Sequence, residues 1–98
     1  MVKSVEWNRK ALRKMRETVM YLKTEVSDSA AKKYADNVYG VIERLKDQPF
    51  IGRPVPTTKT VRFIRVDKNR QMFYRLDGTT LHISNFFDTR QDPDKRPY

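Results

Sequence analysis

VRFIRVDKNRQMFYRLDGTTLHISNFFDTRQDP, residues 61–93, reads as three consecutive strands followed by a charged exit. Asp77-Gly78 is its clearest turn signal. A two-residue Asp-Gly loop favours a type I′ hairpin, because Gly tolerates positive φ and Asp nearly does. Such a loop sets Leu76 opposite Thr79, Tyr74 opposite Leu81 and Met72 opposite Ile83. All six share one face, since side chains alternate along a strand. Phe73 and Arg75 then stand with His82 and Thr80 on the other. One face is apolar and needs a cover; the other is mixed, cationic and partly aromatic. The preceding turn lies around Lys68-Asn69 and leaves two registers open. A two-residue loop there turns Val61 and Phe63 inward, and one residue more turns Ile64 and Val66 inward instead. The second is preferred, with Arg62 and Arg65 outward, because it avoids burying Arg65 without a partner.

The cover lies upstream. Pro49, Gly52, Pro54 and Pro56 make a loop that separates the strands from two amphipathic segments. In the first segment Leu12, Met15, Val19, Leu22 and Val26 step by three and four, the signature of a helical stripe. Asn8 stands before it as an N-cap, and Arg9, Lys10, Arg13, Lys14 and Arg16 take the other side. Ser27-Asp28-Ser29 breaks the pattern and offers caps for a second helix. There Ala31, Tyr34, Val38, Val41 and Leu45 repeat the stepping, widened by Ala35 and Ile42. Gly40 interrupts this helix at about 1 kcal/mol relative to Ala, which points to a close helix contact there. Val5 and Trp7 alternate with Ser4 and Glu6 in a short first strand. The expected fold is therefore α+β in two layers (β-α-α-β-β-β). An N-terminal strand and an antiparallel helix hairpin pack on a mainly antiparallel sheet, one domain over residues 1–98.

Totals narrow the chemistry. With 98 residues the chain is long enough for one core without staples, and it contains no Cys for disulfides or thiolate chemistry. No apolar run approaches a membrane span, and the first residues lack a secretory signal, so a cytoplasmic protein is expected. Lys and Arg number 21 against 12 Asp and Glu, a net charge of +9, which favours a polyanion or an acidic protein as partner. The excess concentrates between Arg53 and Arg75, where Arg53, Lys59, Arg62, Arg65, Lys68, Arg70 and Arg75 face only one acid, Asp67. On an open sheet face, Arg62, Arg65, Lys68, Arg70 and Arg75, with Phe73 among them, would bind phosphates or an acidic segment. The basic side of the first helix reads as a solvated exterior.

His82, the single histidine, sits mid-strand on that open face and has the pKa range for proton transfer. Asp88, Asp92 and Asp94 resemble a hard-cation ligand set, but Arg90, Lys95 and Arg96 stand beside them, so ion pairing and capping are the expected use and no metal is assigned. With three glycines there is no Gly-rich phosphate loop, and no cofactor is expected.

The order of elements and several local motifs resemble the RelE/ParE superfamily of toxins from type II toxin–antitoxin pairs. Val5-Glu6-Trp7 before a charged helix resembles the family's opening. Gln48-Pro49-Phe50-Ile51-Gly52-Arg53 resembles its Pro-x-x-Gly connection, and Met72-Phe73-Tyr74-Arg75-Leu76 its aromatic Tyr-Arg strand. Phe86-Phe87-Asp88-Thr89-Arg90-Gln91-Asp92-Pro93 is similar to the ending of a ParE-like branch. The resemblance implies a growth-inhibiting toxin held inactive by an acidic antitoxin from the same operon, and it leaves the target between two classes. ParE-like members bind DNA gyrase and need no catalytic group. RelE-like members cut mRNA on the ribosome, a reaction that needs a proton acceptor for the ribose 2′-OH, a donor to the leaving oxygen and cations for the developing charge. For the second class the resemblance places Arg90 as the late-strand Arg and Tyr98 as the closing Tyr, with His82 as a further assistant and Arg65, Lys68 and Arg70 near the basic strand positions. Tyr98 stands further from Arg90 than the family's spacing, and the ending is ParE-like, so gyrase binding is the preferred expectation. A nucleic-acid-binding domain without toxicity is a third.

Overall fold

The computed structural model describes residues 2–90. Tyr98, Asp92 and Asp94 therefore lie outside the described residues. The elements are β1 (Ser4–Trp7), α1 (Arg9–Glu25), α2 (Asp28–Asp47), β2 (Arg53–Pro54), β3 (Val61–Arg65), β4 (Arg70–Asp77) and β5 (Thr80–Asp88). This is the expected order, with a two-residue strand added inside the Pro/Gly loop. Both helices start where capping chemistry places them. Asn8 Oδ1 accepts from the Ala11 amide at 2.8 Å, and Ser27 Oγ accepts from the Ala30 amide at 3.0 Å.

The strands form one sheet in the order β1-β5-β4-β3-β2. β1 lies parallel to β5, and every other pairing is antiparallel. The helix hairpin covers one face. Ala11, Met15 and Leu22 of α1 and Tyr34, Val38 and Leu45 of α2 share a core with Met72, Tyr74, Leu81 and Ile83. The α1 stripe is rotated slightly from the expected one. Ala11 is fully buried and Leu12 only partly, while Val26 is the C-cap, at the helix end where it is expected. Gly40 makes no close contact: a Cβ there would meet nothing within 4 Å, so its place in α2 reflects no packing demand.

The β4–β5 hairpin turns one residue later than the Asp-Gly signal implies. Asp77 pairs with Thr80, Leu76 with Leu81 and Tyr74 with Ile83. Gly78-Thr79 forms the loop, and Gly78 alone has positive φ, at 60°. Gly at the first loop position fits a type II′ turn, whereas the I′ turn would require positive φ at both. The faces survive this change, because sliding the partner by two residues preserves alternation. Further along they do not. Tyr74 pairs with Ile83 but Phe73 with Asn85, so Ser84 is an extra residue, a bulge. Beyond it β5 turns Phe86 to the helix side, while Phe87 packs with Phe73 on the opposite side.

That opposite side is consequently not open throughout. Val55, from the loop after β2, closes over Phe73 and Phe87 in a second small core, flanked by Val61 and Phe63. Between β3 and β4 the longer turn is the one adopted. Val66 donates to Arg70 at 2.9 Å, Ile64 pairs with Met72, and Val66 is buried in the main core. Arg62 does not stand outward with Arg65. It pairs with Tyr74 on the helix side and gives its Nη1 to the carbonyls of Phe50 and Gly52, at 3.1 and 2.8 Å. Alternation forces this, since Arg62 and Ile64 are two apart.

Candidate functional site

Where the sides of α1 and α2 meet the start of β4 and the end of β5, the molecule has a cleft of about 430 Å³. Its lining includes Lys14, Thr18, Tyr34, Arg70, Asp88 and Arg90. Each arrives by a local rule. Lys14 and Thr18 are one turn apart on α1, on a polar row beside the apolar stripe. Tyr34 belongs to the α2 stripe. Arg70 and Asp88 are directly paired strand partners. Thr89 donates its amide and its hydroxyl to the Asn69 carbonyl, at 2.7 and 3.0 Å, which ties the end of β5 to the β3–β4 turn.

The charges in this cleft are partly engaged. Arg90 makes a two-pronged pair with Asp88, Nε to Oδ1 at 3.0 Å and Nη2 to Oδ2 at 2.6 Å. These bonds, and after them the Arg70 charge, hold the Asp88 carboxyl below its usual range. The Arg90 side chain is 57% exposed, so the pair is mainly a surface feature. Arg70 gives Nη1 to Asp67 at 3.1 Å, and its guanidinium lies 5.5 Å from the Tyr34 ring centroid. Lys14 Nζ donates to the Phe86 carbonyl at a long 3.3 Å. Burial, followed by the neighbouring charges of Lys10 and Arg13, lowers its pKa. Tyr34 is 2% exposed, and burial pushes its phenol up to about 12. Thr18 lies close enough to oppose that rise, yet the Tyr34 hydroxyl makes no well-formed hydrogen bond.

The residues singled out from the sequence thus separate. Arg70 and Arg90 come together in the cleft. Arg65 and Lys68 are exposed, Arg65 on the sheet side away from the helices, where Arg53, Phe63 and Gln71 join it around a shallow hollow of about 420 Å³. Arg75 pairs with His82 on that same side. Phe73 is 2% exposed, a core residue rather than a surface contact. Arg62 is committed to the loop carbonyls and lies 5.2 Å from the Phe50 ring centroid. His82 sits between two carboxylates, with Glu6 and Asp77 each 3.8 Å away. It stands near the opposite end of β5 from Arg90, eight residues away, on the order of 25 Å along an extended strand. Among the described residues no three acidic, His or Cys side chains are grouped so as to hold a metal ion.

Lys14, Thr18 and Tyr34 are the cleft residues that sequence reasoning passes over. A signal exists for each of them. Lys14, Thr18 and Tyr21 repeat at four and three along α1 and border the apolar row, so they must lie at the edge of whatever that row covers. Tyr34 is the one member of the expected α2 stripe with a polar atom, which needs a partner once buried.

The family model described as "ParE toxin of type II toxin-antitoxin system, parDE" matches residues 5–93. Among curated proteins, none matches the chain by sequence. Solved structures of similar fold include one from a chromosomal ParDE toxin–antitoxin system of P. aeruginosa. It has a TM-score of 0.74 and 18% identity, over 89% of this chain and 96% of that one. A YoeB/ParE toxin from Agrobacterium tumefaciens follows at TM-score 0.68 and 14% identity, covering 88% of this chain and 98% of that one. The E. coli DinJ-YafQ complex contains another, at 0.63 and 11%, covering 92% and 96%.

Proposed function

The chain belongs to the ParE toxin family of type II toxin–antitoxin systems, and we propose that it arrests growth in the cytoplasm by binding DNA gyrase. A cognate acidic antitoxin would hold it inactive. The observation that carries the binding reading is the separation of Arg90 from His82. RNA cleavage needs a cation and a proton acceptor around one phosphate. Here Arg90 pairs with Asp88 at the surface, and the one histidine stands near the far end of the same strand between Glu6 and Asp77. Binding requires no such assembly. The +9 charge supplies long-range attraction for an acidic partner. One relative of similar fold is an assembled complex, DinJ-YafQ, which supports a protein partner here.

A second reading, a ribosome-dependent mRNA endonuclease, is favoured by one observation: Arg70 and Arg90 line the same cleft. A paired experiment separates the two. The purified chain is added to a gyrase supercoiling reaction and, separately, to a translating mRNA. Inhibited supercoiling with intact mRNA is expected. Site-specific mRNA cuts with untouched supercoiling, abolished in Arg90→Ala, would establish the endonuclease instead.

A further inference from the structure

Tyr34 carries the one buried side-chain polar atom, among the described residues, that lacks a hydrogen-bond partner. It forms part of the lining of the cleft between α1, α2 and the ends of β4 and β5. A buried hydroxyl without a well-formed hydrogen bond is unusual in a folded protein, and an acceptor that reaches it would gain a bond. We propose that this cleft seats one carboxylate side chain of an acidic polypeptide, held by Lys14 and Arg70 and completed by the Tyr34 hydroxyl. The proposal rests on the reading that an acidic protein neutralises the toxin, and it names where that partner is gripped.

Donor capacity supports it. Arg90 gives two of its five side-chain donors to Asp88, Lys14 has three donors and one long bond, and Arg70 has five donors and one side-chain acceptor, Asp67. Lys14 and Arg70 therefore have donors to spare toward the cleft. The charges on the lining are Lys14, Arg70 and Arg90 against Glu17 and Asp88, a surplus of one positive charge, which matches a single carboxylate. Burial and two neighbouring cations already disfavour the charged Lys14, and an incoming anion relieves that.

Shape selects the carboxylate over a nucleic-acid phosphate. Tyr34 is almost wholly covered, and its hydroxyl has essentially no exposed surface in the free protein. A ligand must displace a wall side chain to reach it. A Glu side chain ends in one carboxylate on a thin methylene stem. A phosphodiester is flanked by two sugars and stays at the rim.

The test is an NMR titration of the full, isotope-labelled chain with three probes: hexaglutamate, hexathymidylate and inorganic phosphate. Hexaglutamate should shift the signals of Lys14, Thr18 and Arg70 most. Tyr34→Phe should weaken its binding about tenfold or more, the loss expected for one hydrogen bond to a charged group. This variant changes no charge, so general attraction cannot explain the loss. It also removes an unsatisfied hydroxyl, so its melting temperature should hold or rise, which a purely structural role for Tyr34 would not produce. Lys3→Gln, an exposed residue just before β1 at the Thr79 end of the sheet, should bind within about twofold of the parent. Shifts centred on Arg65, undiminished binding by Tyr34→Phe, or stronger cleft shifts with hexathymidylate or phosphate would overturn the proposal. The titration does not read gyrase. A chain that grips hexaglutamate in the cleft yet spares supercoiling upholds the seat and fails the gyrase reading, and the reverse result fails the seat alone.

Discussion

The amide of Gly52 donates to the hydroxyl of Tyr74 at 3.0 Å, and that hydroxyl in turn donates to the Pro49 carbonyl at 2.9 Å. One phenol thus fixes both ends of the Pro-x-x-Gly loop. A Cβ on Gly52 would collide with the Tyr74 ring and hydroxyl and lie 2.9 Å from the Phe63 carbonyl oxygen, so no larger residue fits. Tyr74→Phe leaves two backbone groups without their partner and should lower stability by about 1–3 kcal/mol in urea unfolding. Gly52→Ala should lower it by a similar or larger amount. A Gly52→Ala protein as stable as the parent would show that the loop can move away from Tyr74.

Gly40 is the opposite case. It lies within α2 in open space, with no atom in the way of a Cβ. Gly40→Ala should therefore raise stability, by up to about 1 kcal/mol, through helix propensity and a less disordered unfolded chain. Thermal unfolding measures it, and a drop in midpoint would mean that a Cβ there meets a neighbour within the chain.

Tyr34 gives stability a distinct alkaline limb. Burial raises its phenol from the ordinary 10 to about 12 in the folded protein. The folded state holds this proton more tightly than the unfolded chain does. The contribution is whole below pH 10 and is lost as pH climbs from 10 to 12, on the order of 2 kcal/mol in all. Lysines titrate in the same window in both proteins, so the difference between parent and Tyr34→Phe isolates the phenol. That difference should move in the variant's favour across pH 10–12 in chemical denaturation. A flat difference would place the Tyr34 hydroxyl in contact with water.

Arg65 and Lys68 are the exposed members of the basic set assigned from the sequence. Neutralising both, Arg65→Ala with Lys68→Ala, should leave the melting temperature in place. Affinity for gyrase should fall about three- to tenfold and become less sensitive to salt, as for other rim charges. Unchanged affinity at low ionic strength would move the contact surface elsewhere.

The stepping of apolar residues in both helices and the alternation in residues 70–83 were enough to predict which faces meet. Ala31, Tyr34, Val38, Val41 and Leu45 are all buried, as their spacing requires. The Ser84 bulge had no such signal. Neither Gly nor Pro marks it, and it reverses the facing of everything after it. Hence Phe73, read as part of an open face, is roofed by Val55 and joined by Phe87. The cleft was hidden for another reason. Lys14, Tyr34, Arg70 and Arg90 lie far apart along the chain, and only the docking of two helix edges on the end of β5 makes them neighbours. Periodicity reports which face of an element is buried; it does not report which polar residues border the same gap.

Among the described residues β1 has one neighbour in the sheet, and that neighbour is β5. At ordinary rates of about 5–20 residues per second, a ribosome takes roughly 4–16 s to travel from Trp7 to Asp88. Throughout that time the first strand has nothing to pair with, and the apolar rows of α1 and α2 have no sheet to cover. The Arg70–Asp88 pairing that frames the cleft does not yet exist either. A half-made copy of this chain thus has an incomplete sheet and is exposed to proteases and chaperones, and its fold closes abruptly with the last strand.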